Sequence, residues 1–178
     1  MYLYQHYKYG GEKLVPVTVL FQIFMIHSAK NEVQPMSVVI FCGHSEFYGD
    51  EDVKLWLRET VERLILEGAD DFLLGGYGGF DACAASVVWE LKKQYPAIRS
   101  TLVLPYLDRK VDSTKYDCTL YPPLESVPKR YAISKRNEYM VNESEIVVAY
   151  VTHEWGGAAT TLSYAKRKKK RIINYGKI

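Results

Sequence analysis

A chain of 178 residues, 48% of them apolar and with a formal net charge of +2, can bury one good core, which argues against general disorder. The same balance excludes a global electrostatic field strong enough to make nucleic acid or a membrane surface the default partner. Three widely spaced cysteines, Cys42, Cys83 and Cys118, include no C-x-x-C pair, which argues against a disulfide framework and a zinc site; a reducing cytosol, no metal and no cofactor are expected.

Residues 1 to 35 read differently from the rest. A tyrosine-rich start, "MYLYQHYKYGG", precedes the apolar "LVPVTVLFQIFMI", which is short for a membrane span and is interrupted by Pro16 and Gln22. The "HSAKNE" that follows is a weak cleavage site, so secretion is not expected either. This segment is expected to be an N-terminal extension, as an accessory strand, an interface segment that could support a homo-oligomer, or a product of the chosen start codon. The domain proper is expected from Met36 to the end.

From Met36 onward, short β-rich runs alternate with helical patterns. The runs are "SVVIFCG", "DDFLLGG", "STLVLPY", "EIVVAYV" and "RIINYG". This alternation predicts an α/β fold, a Rossmann-like three-layer sandwich with a mostly parallel sheet of about five strands. In the first helical pattern Val53, Trp56, Leu57, Val61, Leu64 and Ile65 share one face, with Asp50, Glu51 and Asp52 suited to its start and Gly68 to its end. Further helices are expected over about 81 to 95, 130 to 142 and 158 to 169. The polar, proline-punctuated stretch 107 to 129 resists assignment and reads as a lid or rim, or as a surface excursion.

Ligands of open α/β sheets bind beyond the C-terminal strand ends, so the residues after each run carry the functional signal. There stand "CGHSEF" (42 to 47), "GGYGGFD" (75 to 81), "PYLD" (105 to 108) and "HEWGGAATT" (153 to 161). Two of these are glycine-rich turns leading into helices, an arrangement that offers free N–H groups and a positive dipole end to an anion such as phosphate. The first does not fit the dinucleotide fingerprint, because Asp81 stands where a third glycine belongs, and it lacks the lysine of a P-loop. The direct role expected of Asp81 is a helix N-cap, compatible with a contact to ribose or base. Arg136 and Asn137 fall on or beside the apolar face of their helix; an inward arginine needs an anion, either a ligand phosphate or an acid such as Asp81 or Glu46. His44 and His153 both follow strands and could meet across the cleft, with a structural or polar role favoured over that of a base. Cys42 is expected to be a buried, inert thiol, and "KRKKKR" (166 to 171) a solvated helix end.

Taken together, "GGYGGFDACAA", "KRNEYMVNESEIVVAY" and "GGAATTLSYAKRKKKRII" resemble the SLOG superfamily, which includes DprA, the LOG-type cytokinin-activating enzymes and YpsA-like proteins. The likeness is closest to the YpsA-like branch and runs from Met36 to the end. It implies a Rossmann-like fold holding a nucleotide or nucleotide-derived ligand at the strand ends. The family's G-G-x-x-G-x-D pattern falls on Gly75, Gly76, Gly79 and Asp81, its R-N pair on Arg136 and Asn137, and its G-G-x-x-T pattern on Gly156, Gly157 and Thr160. The expected ligand-binding set is completed by Gly43, His44 and Tyr77, with Tyr77 or Trp155 stacking on a base. The LOG enzymes carry a glutamate where this chain has Ser163, which puts glycosidic hydrolysis by their mechanism in doubt, since a hydroxyl cannot replace a carboxylate.

Three outputs are therefore weighed. The leading one is binding of a nucleotide-derived small molecule, with a cytoplasmic sensor role as its expected output. The second is hydrolysis of an N-glycosidic or phosphate bond, with Glu46, Asp81, Glu154 or a histidine as acid or base. The third, less favoured, is single-stranded DNA binding through residues 166 to 171, in the manner of DprA.

Overall fold

The structure, a computed structural model, describes residues 37–108 and 112–176. The expected extension, residues 1 to 35, and the domain start at Met36 lie outside the described residues.

Six parallel strands form one sheet in the order β4-β3-β2-β1-β5-β6. In chain order the elements are β1 (Ser37–Gly43), α1 (Glu51–Leu66), β2 (Ala69–Leu74), α2 (Gly79–Leu91), β3 (Arg99–Val103), β4 (Cys118–Leu120), α3 (Lys129–Glu143), β5 (Ile146–Tyr150), α4 (Gly156–Arg167) and β6 (Arg171–Asn174). The period of two along β1 divides the core. Val39 and Phe41 pack with α1 and α2 on one face, around Leu57, Val61, Phe80 and Val88. Ile40 and Cys42 pack with α3 and α4 on the other, around Met140, Val141, Ala159 and Leu162. Both faces are covered, which is why the strands read as continuous apolar runs. No described helix is long and apolar enough to cross a membrane.

Five of these strands are the expected runs. The sixth, β4, comes from the stretch 107 to 129, where Cys118, Thr119 and Leu120 pair with Thr101, Leu102 and Val103. Three residues at a sheet edge, two of them exposed, bury too little for a hydrophobic period to show. None of the described residues of 107 to 129 lines the cavity discussed below; Cys118–Leu120 of that stretch form the sheet edge.

Helix ends follow capping chemistry. The Asp50 carboxylate accepts from the Asp52 N–H at 3.0 Å, and Gly68, at φ +105°, closes α1. By contrast, α2 begins two residues earlier than expected, at Gly79, with Gly78 as its cap. The strand order reverses between β1 and β5, which places a topological switch point at their C-terminal ends. There the turn after β1 and the start of α2 touch closely: Gly79 N–H donates to Ser45 O at 2.9 Å. A Cβ on Gly79 would stand 2.1 Å from Phe47 O.

Because that obstacle is main chain, Gly79→Ala must push the two segments apart. The expected cost is on the order of 1–3 kcal/mol, read as a lower urea midpoint with an unchanged slope.

Candidate functional site

At the switch point lies a cavity of about 380 Å³. The turns after β1, β2 and β5 and the inner face of α3 line it. Of the expected residues, Gly43, His44, Gly75, Tyr77, Asp81, Arg136, Asn137, Gly156 and Gly157 line this space, whereas Gly76, Gly79 and Thr160 do not. Gly76 faces Leu102, and the Thr160 hydroxyl, exposed, donates to Gly156 O at 3.0 Å.

Arg136 is the buried charge of the site, only 1% exposed on α3. Its Nη1 donates to Gly75 O, just beyond β2, and to Val103 O, the last residue of β3, at 2.8 Å. Burial pushes its pKa down, and the Asp81 carboxylate and the Tyr77 phenol oppose that shift. The guanidinium lies 5.5 Å from the Tyr77 ring centroid. Its buried Nε finds no acceptor among the described residues. Two main-chain carbonyls thus take Nη1, and Asp81, one of the acids expected as its anion, supplies countercharge.

The expected N-cap role of Asp81 is corrected in the same place. Gly78 is the cap, and Asp81 is the third residue of α2, its carboxylate accepting from the Tyr77 N–H at 3.0 Å. It therefore pins the glycine turn from inside the helix, as the third-position acid of a capping box does. A Cβ on Gly75 would meet Arg136 Nη1 and Asp81 Oδ2, each at 2.7 Å. Bare backbone in "GGYGG" is required by the protein's own atoms. Burial, partly offset by Arg136 and by the Tyr77 N–H, pushes the Asp81 carboxyl up from 3.8 to about 6.

The second glycine pair is different. Gly156 and Gly157 open α4, whose N-terminus has no side-chain cap. Both are exposed, and a Cβ on either would meet nothing within 4 Å. Asn137 secures this turn from α3: its Nδ2 donates to Thr161 Oγ1 at 3.1 Å, and that hydroxyl donates to Gly157 O at 2.8 Å. Thr161, not Thr160, lines the cavity. Expecting the helix to begin at Ala158 hid the signal that would have found it, since Thr161 lies four residues after Gly157 on the same helical face.

Aromatic rings form the remaining wall. His44 stacks on His153 with centroids 3.6 Å apart, and His153 on Trp155 at 3.7 Å. His44 Nε2 accepts from the Thr152 N–H at 3.0 Å, and His153 Nδ1 donates to Trp155 O at 3.0 Å, which assigns both tautomers. Burial, and then the neighbouring His153, push the His44 pKa down, so His44 stands neutral near pH 7. Cys42 beneath them is the inert thiol expected. It donates to Ala158 O at 3.2 Å, and burial pushes its pKa up to about 12. Ser45, Gly78, Ile133 and Met140 also line the cavity and were not singled out in the sequence. No group of three or more metal-ligating side chains occurs among the described residues.

Residues 49–176 match the family model described as the YspA SLOG family, under the name YpsA. A UPF0398 protein of Bacillus thuringiensis (strain Al Hakam) is 25% identical over 161 residues, with 79% of this chain and 88% of that protein aligned. Similar figures hold for a UPF0398 protein of Bacillus cereus (strain AH820), at 24% identity over the same length and coverage. Among solved structures, the molybdenum cofactor carrier protein of Chlamydomonas reinhardtii matches with a TM-score of 0.54 at 19% identity, over 78% of this chain and 76% of that one. DNA processing protein A of Helicobacter pylori, described for its single-stranded DNA binding mode, matches with a TM-score of 0.56 at 15% identity, over 78% and 64%. At these identities the structural likeness concerns the fold.

Asp81 makes the site's stability pH-dependent. With its folded pKa raised, the contribution of Asp81 is fully present below about pH 4 and is lost as pH rises through about 6. Asp81→Asn removes that titration. The melting temperature of the variant relative to wild type is therefore expected to climb between about pH 4 and pH 6 and to level off above, in thermal melts at matched ionic strength; a constant offset would show that Asp81 titrates normally.

Proposed function

The chain belongs to the YpsA SLOG family, and on that premise we propose that its cavity binds a phosphorylated, nucleotide-derived small molecule whose phosphate sits on the first turn of α4. One observation carries this reading. The α4 N-terminus has no side-chain cap, is exposed and glycine-built, and lines a cavity that the buried Arg136 also lines. Free amides and the helix dipole together favour an anion there. The α2 N-terminus is the poorer seat, because Ser45 O already accepts from Gly79 and the Asp81 carboxylate already accepts from Tyr77. Arg136 contributes long-range positive charge and a buried Nε, while its Nη1 keeps the strand ends together. Asn137 acts through Thr161 to fix the turn that receives the phosphate.

Binding, rather than bond cleavage, is the output this geometry favours. Ser163, in the place of the LOG glutamate, is exposed on α4 and does not line the cavity. A carboxyl poised at about 6 on the cavity wall, Asp81, is what supports the hydrolase alternative. Free base or ribose phosphate appearing on chromatography after incubation with nucleoside monophosphates would favour it. For single-stranded DNA the basic run is poorly placed. It begins at the far end of α4, about 15 Å along the helix from the glycine pair at 1.5 Å per residue. Two of its members are already engaged, Lys170 with Asn142 O and Arg171 with Glu67.

The discriminating variant is Gly157→Asp. Gly157 has no positive φ and open space at its Cβ, so the protein should fold, with α4 stabilised by about 0.3–1 kcal/mol through the dipole. The new carboxylate occupies the anion seat. Nucleotides that raise the wild-type melting temperature are expected to lose that effect in Gly157→Asp and keep it in Gly157→Ala. Retained stabilisation in Gly157→Asp would move the phosphate elsewhere.

A further inference from the structure

The wall formed by His44, His153 and Trp155 has an arrangement that phosphate binding does not use. Its rings are stacked nearly parallel, at 20° between His44 and His153 and 15° between His153 and Trp155. At the inner end His44 meets the Tyr150 ring edge-on, at 6.4 Å and 78°. At the outer end stands Trp155, lining the cavity and 73% exposed. One face of its ring is pressed on His153, so the exposure belongs chiefly to the other face. The ring is also held before any ligand arrives, since His153 stacks on it and donates from Nδ1 to the Trp155 main-chain carbonyl. An aromatic face ordered in advance spares a ligand most of the ordering cost. Tyr77, the other aromatic candidate, has the Arg136 guanidinium near its ring.

We propose that the outer face of Trp155 is the seat of a planar heteroaromatic ring carried by the phosphorylated ligand, selected by its aromatic area rather than by its hydrogen-bonding edge. This rests on the phosphate reading above. Trp155 is the cap residue of α4 and directly precedes Gly156 and Gly157. A ring on Trp155 and a phosphate on the first helical turn are therefore neighbours that one ribose can bridge. A stacked column presents a π-face and no donor–acceptor code, and stacking of that kind tolerates any base while rewarding ring size. Purine nucleotides rank above pyrimidine ones, and a ring that has lost its planarity ranks with no ring at all.

The test is calorimetric titration of the full chain with adenosine 5′-monophosphate, uridine 5′-monophosphate, 5,6-dihydrouridine 5′-monophosphate and ribose 5-phosphate. The two uridine compounds share a hydrogen-bonding edge and differ in aromaticity. The expected order is adenosine, uridine, then dihydrouridine equal to ribose phosphate, with an aromatic advantage of about 5- to 150-fold. Trp155→Ala should reduce both aromatic nucleotides to the affinity of ribose 5-phosphate, and Trp155→Phe should restore part of the gap. Tryptophan emission should be quenched by adenosine 5′-monophosphate and not by ribose 5-phosphate, and Trp155→Phe, which keeps Trp56 and Trp89, should abolish the quenching. Equal wild-type affinities for the aromatic nucleotides and ribose 5-phosphate, with both lost in Gly157→Asp, would overturn the stacking seat and leave the phosphate seat standing. Discrimination surviving in Trp155→Ala would assign the ring elsewhere. No binding of any of the four would sink the phosphate reading and this one with it.

Discussion

A single buried guanidinium organises the C-terminal edge of this sheet. Arg136 enters from α3 and bonds to a carbonyl at the end of each of two adjacent strands, β2 and β3. A charge with 1% exposure has given up nearly all its hydration, so its partners have to be supplied by the fold. Removing one partner of such a buried set typically costs 3–5 kcal/mol, because the others are left unpaired. The surrounding choices follow. Position 75 must be glycine to let the guanidinium and the Asp81 carboxylate approach. Asp81 must sit inside α2 rather than at its cap, so that one oxygen can hold the Tyr77 amide while its charge balances the arginine.

This arrangement divides the site into a closed half and an open half. In the closed half, glycines of the 75–79 turn pack against Arg136, Asp81, Leu102, Ser45 and Phe47. In the open half, Gly156 and Gly157 face empty space at the start of α4, beside a column of stacked rings. Two glycine-rich turns that look alike as text thus have opposite surroundings: one admits the protein's own side chains and backbone, the other is left open. The strand order dictates where they meet, since the chain reverses direction across the sheet between β1 and β5 and leaves a crevice there.

Much of the fold was legible because its periods are strong. Five strands carry continuous apolar runs, as strands covered on both faces must, and α1 carries a clear stripe from Val53 to Leu64 with a carboxylate cap. β4 was not legible: its three residues stand at an edge, and pairing with β3, not burial, defines it. Helix starts were misjudged at α2 and α4 by two residues each, because glycines at a helix start carry no capping side chain to read. The second error mattered for the site, since it turned attention to Thr160, which faces its own helix, and away from Thr161, which faces the cavity.

By itself the sequence determined which residue types gather at the strand ends, the parallel α/β class, and the membership implied by three motifs in order. These depend on local period and chain order, which a linear string records. Only the tertiary structure decided which atoms each motif meets. Whether a glycine is bare for a ligand or for an arginine 61 residues away depends on which atoms arrive from other elements. So does whether an acid caps its helix or balances a charge. Contacts between β2 and α3, or between the turns after β1 and β5, are properties of packing, and packing sets the meaning of the motif.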